Sequence, residues 1–257
     1  MNRIDGKLVV ITGATAGIGE ACARAFAAHG AELILLARRE ERLAHLKREL
    51  EAEHGVRIRT AVLDVRDRDG VIAFGRRLES EGIAPDVLVN NAGLGRGLDP
   101  LHEGRLEDWD EMIDTNVKGL LHVTRAILPI MVRRDRGHVV NLGSTAGHLV
   151  YPGGNVYNAT KFAVRALNDA LNVDLAGTRI RVSSIDPGAV ETDFSRVRFR
   201  GDEERASAVY RGFRPLTAED VADAVIYVVN APEHVNVQRM LILPTAQRNA
   251  YVLHREG

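Results

Sequence analysis

A serine, a tyrosine and a lysine at positions 144, 157 and 161 are the residues of this sequence best spaced to do chemistry together. If the chain is helical from Val156 onward, Tyr157 and Lys161 stand one turn apart on the same face. An ammonium beside a phenol favours the phenolate. The spacing therefore predicts a Tyr157 pKa drawn down from about 10 towards the working pH. A phenol tuned in that way exchanges a proton with an alcohol or carbonyl oxygen. Ser144 reaches the same oxygen if its loop faces the start of that helix. Tyrosine and lysine at this spacing also occur on helices with no such role. The rest of the chain gives the pair its weight.

That remainder reads as a frame for a nucleotide. Apolar, β-branched runs at 7–12, 32–37, 57–62, 86–90, 138–142, 179–185 and 240–243 predict buried strands. Helical spacing predicts helices over 17–29, 40–54, 67–81, 156–175 and 218–230, the last capped by Thr217. Residues 106–134 carry helical spacing as two segments meeting near Asn116. The alternation predicts an α/β fold: one Rossmann-like, doubly wound parallel sheet of about seven strands with helices on both faces. No repeat or linker interrupts it, so residues 1–257 read as one domain. Residues 189–214 are polar, irregular and arginine-rich, which suggests a lid.

The first strand runs into a turn holding Gly13, Thr15, Gly17, Ile18 and Gly19. Glycines there let backbone approach a pyrophosphate, and the helix that follows points N–H groups at it. The second strand ends at Arg38 and Arg39, where an acidic residue would suit the ribose 2′-hydroxyl of NAD. Two guanidiniums suit a 2′-phosphate instead, so NADP(H) is the expected cofactor. The plain alternative is a solvated basic helix start. Asp64 and Val65 close the third strand, where the aspartate can meet an adenine amino group. Asn91, Ala92 and Gly93 close the fourth.

In this order the motifs resemble the short-chain dehydrogenase/reductases. The resemblance rests on the glycine turn, Asn90 to Gly93, Asn116, Ser144, Tyr157, Lys161 and the Pro187-Gly188 pair. It implies that Asn116, Ser144, Tyr157 and Lys161 are the catalytic set. Asn116 would hold a water linking Lys161 to solvent, and Lys161 would also meet the nicotinamide ribose. Pro187, Gly188 and Thr192 would join Tyr157 and Lys161 in the cofactor set. Residues 37–50, 107–120, 143–147, 153–161, 197–202 and 243–245 are similar to the bacterial NADP-dependent 3-hydroxy acid dehydrogenases. That resemblance implies hydride transfer at a small 3-hydroxy acid or hydroxy amino acid, with Ser144 and Tyr157 on its hydroxyl. The enzymes it points to oxidise L-allo-threonine and serine and reduce malonic semialdehyde. An acid substrate needs a cation. Arg196, Arg198 and Arg200 are candidates, with Arg198 favoured, against the alternative of an exposed basic loop. Rival functions are reduction of another carbonyl, such as a sulfonated aldehyde or a biosynthetic ketone, and dinucleotide binding without turnover.

Composition narrows the remaining classes. The chain is 45% hydrophobic and 27% charged, which argues against disorder. A formal net charge of -1 gives no pull towards nucleic acid. Cys22 is the only cysteine, which excludes an intrachain disulfide and a cysteine metal cluster. No apolar run nears the ~20 residues that span a bilayer, and no apolar core of signal-peptide length precedes the first strand. A cytoplasmic protein with a small-molecule substrate, and no nucleic-acid or membrane partner, is expected. His102, His122, His138 and His148 show no ligand spacing; they are expected at the surface or in loops, and no metal is predicted. Trp109 and Met112 read as packing or subunit contacts. The long helices at 106–134 and 156–175 suggest a homo-oligomer, a tetramer or dimer.

Overall fold

Strands buried on both faces need no polar alternation, so continuous runs of valine, isoleucine and leucine assemble side by side. In a computed structural model, which describes residues 2–256, seven such runs form one parallel sheet. They are β1 (Leu8–Thr12), β2 (Glu32–Ala37), β3 (Ile58–Val62), β4 (Val87–Asn90), β5 (Gly137–Leu142), β6 (Ile180–Pro187) and β7 (Arg239–Ile242). Their order across the sheet is β3-β2-β1-β4-β5-β6-β7. The winding reverses between β1 and β4, which opens a crevice beyond their carboxyl ends.

The helices are α1 (Gly17–Ala28), α2 (Glu40–His54), α3 (Arg68–Ser80), α4 (Leu106–Ile113), α5 (Leu120–Arg134), α6 (Asn155–Asp174), α7 (Phe194–Arg198), α8 (Glu203–Ala208) and α9 (Ala218–Asn230). Alternating strand residues feed two cores. Val9, Ile11, Leu33 and Leu35 cluster with Cys22 and Phe26 of α1, Leu43 of α2 and Val225 of α9. Val10, Ile34 and Leu36 cluster on the opposite face with Phe74 and Leu78 of α3 and Val123 and Ile127 of α5.

The expected spans match to the residue for β2, α2 and α9, and to within two residues for the other strands and for α1, α3 and α6. Thr217 caps α9 as expected, in a reciprocal pair with Asp220. As expected, two helical segments meet near Asn116, and one other stretch differs. The 106–134 segment is broken by a π-helical turn, Asp114–Gly119, which contains Asn116. The stretch expected to be irregular at 189–214 holds α7 and α8, and the Asp202 carboxylate caps α8 by accepting from the Arg205 N–H. The feet of this lid are tied together. Glu191 N–H donates to the Leu216 carbonyl, and Leu216 N–H donates to that of Ala189.

The histidine expectation needs correcting. His138 is buried in β5, where it shares a 2.8 Å hydrogen bond with Ser183, and burial holds its pKa well below the usual value. His148 bonds the buried Asp186 carboxylate at 2.6 Å, and His122 bonds the Val65 carbonyl. Burial of a strand histidine depends on which strands flank it, which local pattern does not encode.

Packing of α3 on α5 needs Gly75. A Cβ there would lie 2.7 Å from the Ala126 carbonyl oxygen. Gly75→Ala should cost about 1–3 kcal/mol of stability through overpacking, read by denaturant unfolding.

Candidate active site

The crevice is a cleft of ≈ 400 Å³ that runs from Arg38 and Asp64 to Ser144, Tyr157 and Lys161. At its phosphate end, β1 stops at Gly13 with φ +66°, and α1 starts at Gly17 with φ +51°. No side chain caps α1, so its first-turn N–H groups remain free for an anion beside Gly17 and Ile18. The Thr12 hydroxyl accepts from the N–H groups of Asn91 and Ala92 at 3.0 and 2.9 Å, which ties the ends of β1 and β4 together. Asn91 spends its side-chain amide on the carbonyls of Thr12 and Gly13. Gly19 does not line the cleft. A Cβ there would sit 2.3 Å from the Gly13 carbonyl oxygen, so this glycine lets α1 close against the turn.

The two arginines after β2 part company. Arg39 folds back to donate to the Thr15 carbonyl and hydroxyl at 3.0 and 3.1 Å, bracing the glycine turn. Arg38 stays 59% exposed in its side chain and lies 3.8 Å from Asp64. Burial pushes the Asp64 carboxyl up, but its bonds to Arg66, the closest at 2.6 Å, win and hold it below the usual range.

At the other end, β5 delivers Ser144 and α6 delivers Tyr157 and Lys161. Ser144 stands close enough to Tyr157 to favour its phenolate, and the Ser144 hydroxyl accepts from the Ala146 N–H at 3.1 Å. Lys161 is buried and donates to the Leu142 carbonyl at 2.8 Å. Asn116 lies behind the cleft. Its amide donates to the Leu94 carbonyl and Thr160 hydroxyl, and accepts from the Leu94 N–H.

The electrostatics depart from expectation. Burial raises the Tyr157 pKa, and the opposing influences are the charge of Arg198 and the Ser144 hydroxyl; Lys161 is not among them. The Arg198 guanidinium sits 4.8 Å from the Tyr157 ring centroid, and the Lys161 ammonium 5.9 Å. Burial also drags Lys161 down to about 8, offset in part by Asp186. Burial disfavours the lysine ammonium as well as the phenolate, so the neighbour that should acidify the phenol is itself weakened.

Of the three lid arginines, one points inward. Arg196 pairs with Glu203 and Asp193, and Arg200 with Asp108. Arg198 lies over both the Tyr157 and Phe194 rings, which meet edge-on, and donates to the Tyr151 hydroxyl at 3.1 Å, while its Nε is buried with no partner among the described residues. Gly95 makes room: a Cβ there would be 2.8 Å from the Arg198 guanidinium and the Phe194 ring. Tyr151, Phe194 and Gly95 escaped sequence reasoning because only the folded lid brings them together. Thr192, Pro187 and Gly188 line the cleft beside them. Met112 is buried and Trp109 packs at Gly104, away from the cleft lining. The described residues hold no group of three or more His, Cys, Asp or Glu side chains placed for a metal.

Known proteins are similar to this chain over nearly its whole length. The short chain dehydrogenase family profile matches residues 7–203. The NADP-dependent 3-hydroxy acid dehydrogenase YdfG of Salmonella typhi is 49% identical over 241 residues, covering 93% of this chain and 96% of that protein. Sulfoacetaldehyde reductase 2 of Chromohalobacter salexigens is 46% identical over 251 residues, covering 97% and 99%. The solved closed form of serine dehydrogenase complexed with NADP+ matches with a TM-score of 0.90 at 47% identity, covering 97% of this chain and 100% of that one. The chain belongs to the short-chain dehydrogenase/reductase family.

Proposed function

We propose that this chain is an NADP-dependent oxidoreductase interconverting a small 3-hydroxy acid, of the serine, L-allo-threonine or 3-hydroxypropionate type, and its carbonyl form. The observation that carries the acid part is the half-buried Arg198, whose Nε is buried and unpartnered, beside Tyr157. A planar guanidinium held there suits a carboxylate. Relatives named for 3-hydroxy acids and serine support the same reading.

The residues present fit a dinucleotide with a 2′-phosphate. Positive-φ glycines at 13 and 17 form a cradle that a Cβ would crowd, from 3.0 Å at Asn91 and 3.3 Å at Thr192 respectively. In this reading Gly13, Thr15, Gly17 and Ile18 hold the phosphates. Arg38 takes the 2′-phosphate while Arg39 holds the turn. Asp64 and Val65 flank the adenine. Ala92, Gly93, Pro187, Gly188 and Thr192 lead to the nicotinamide, with the Asn91 side chain supporting the loop. When bound, the dinucleotide supplies the hydride donor or acceptor. Tyr157 moves the proton at the substrate oxygen, and Ser144 hydrogen-bonds that oxygen. Burial keeps the phenol protonated at rest, the form that gives a proton to a carbonyl. In the oxidising direction, the charges and the Ser144 hydroxyl must offset burial. Asn116 acts by locking the Leu94 loop to α6.

A second reading, reduction of a sulfonated aldehyde, is favoured by the sulfoacetaldehyde reductase among the relatives. A guanidinium accepts a sulfonate as readily as a carboxylate. We also infer a homo-oligomer in the cytoplasm. Exposed Ile113, Leu121 and Val132 on α4 and α5, and Phe162 and Val173 on α6, support assembly. Among the described residues no helix is long and apolar enough to cross a membrane.

Turnover of L-serine and 3-hydroxypropionate, with sulfoacetaldehyde as the competing substrate, tests the assignment. Preference for uncharged ketones would overturn it. Tyr157→Phe should lower kcat by at least ~10²-fold, and near-normal turnover would mean another proton donor. Arg198→Ala should raise the KM of the hydroxy acid about tenfold or more, and an unchanged KM would remove Arg198 from the carboxylate. Light scattering should give a mass above one chain, with a monomer as the contrary result.

A further inference from the structure

An alternating file of ionic side chains runs along the cleft from the end of β2 to the lid. Arg38 lies 3.8 Å from Asp64, and Asp64 grips Arg66 at 2.6 Å. Arg66 lies 3.9 Å from Glu111 of α4, and Glu111 grips Arg96 at 2.7 Å. Arg96 then donates to the carbonyl of Val197, the residue before Arg198 in α7. The N–H of Gly97 donates to the carbonyl of Arg198 itself at 3.1 Å. Arg96 and Glu111 are 17% and 22% exposed in their side chains, so salt screens their pairing less than it would at an open surface. The Arg96 bond, the strongest influence on Glu111, keeps that carboxyl below its usual pKa and therefore ionised.

Tight and loose joints alternate along this file. An anion at Arg38 draws that guanidinium off Asp64. The Asp64 charge then falls wholly to Arg66, and Arg66 relaxes its hold on Glu111. The Glu111 carboxylate is left to Arg96 alone, and Arg96 holds the lid carbonyl more firmly. We propose that Arg96 and Glu111 are positioning residues through which a phosphate bound at Arg38 orders the lid helix that carries Arg198. The proposal rests on the reading that Arg38 meets the 2′-phosphate. Coupling of this kind is reciprocal, so an ordered lid also tightens the adenosine end. The lid helix is the element whose order both sites bias.

Two adenosine fragments separate this effect from direct contact with the lid. Adenosine 2′,5′-bisphosphate and 5′-AMP both lack the nicotinamide half and differ only in the 2′-phosphate. Amide hydrogen exchange across residues 194–201 of the full chain is followed with each fragment at saturation. The bisphosphate should slow exchange at least ~5-fold more than 5′-AMP. In Glu111→Gln that excess should vanish, and by reciprocity the bisphosphate Kd should weaken by up to the same factor while that of 5′-AMP is unchanged. Arg96→Leu breaks the same joint from the other side and should give the same result. Equal slowing by the two fragments in the parent protein, or an excess that survives both substitutions, would overturn the proposal. If the bisphosphate binds no tighter than 5′-AMP, the Arg38 reading has failed as well, and the titration shows this separately.

Discussion

The side-chain amide of Asn116 is the junction on which the catalytic end depends. Both its donor and its acceptor face the backbone of Leu94, and its second N–H reaches Thr160, one residue before Lys161. A π-helical turn places it there by adding a residue to the winding between α4 and α5. Without that junction, the loop after β4 and the start of α6 would have no common reference. The buried amide is satisfied by partners from two elements, so its geometry is costly to disturb.

Around this junction the cleft divides into a wet end and a dry end. Arg38 and Asp64 are partly solvated, where charge is inexpensive and a phosphate can be matched. Lys161 is buried and Tyr157 half-buried, and desolvation works against the ionised form of each. Arg198 is the cation brought against the phenol from outside the sheet, by a helix of the lid. In the proposed reading the same guanidinium serves both the acid group of a substrate and the group that moves its proton. Substrate charge and proton transfer are linked through one side chain.

Much of this was legible before any coordinates. Parallel strands covered on both faces are written as plain apolar runs, and strand ends in such a sheet are where ligands lie, so the glycine turn and Arg38 stood out by position, while Tyr157 gained its weight from that frame and from the family resemblance. The interruption near Asn116 was visible as two helical segments that fail to run on. Other properties depend on partners distant in sequence. Gly19 reads as part of a phosphate turn, yet its neighbour is the Gly13 carbonyl. Arg39 reads as half of a basic pair, yet it braces Thr15. The Tyr157 pKa reads as a local matter of Lys161, but burial is a property of the whole fold. Short α7 and α8 are polar and carry no long periodicity.

The position of Cys22 has a consequence for life under oxidative stress. The sulfur is fully buried beneath α1, and burial pushes its thiol up to about 12. The thiolate is the form that peroxide attacks, and here it is neither populated nor reachable. As the chain has no second cysteine, the folded enzyme carries no thiol fuse. Peroxide therefore has no thiolate through which to switch the folded enzyme.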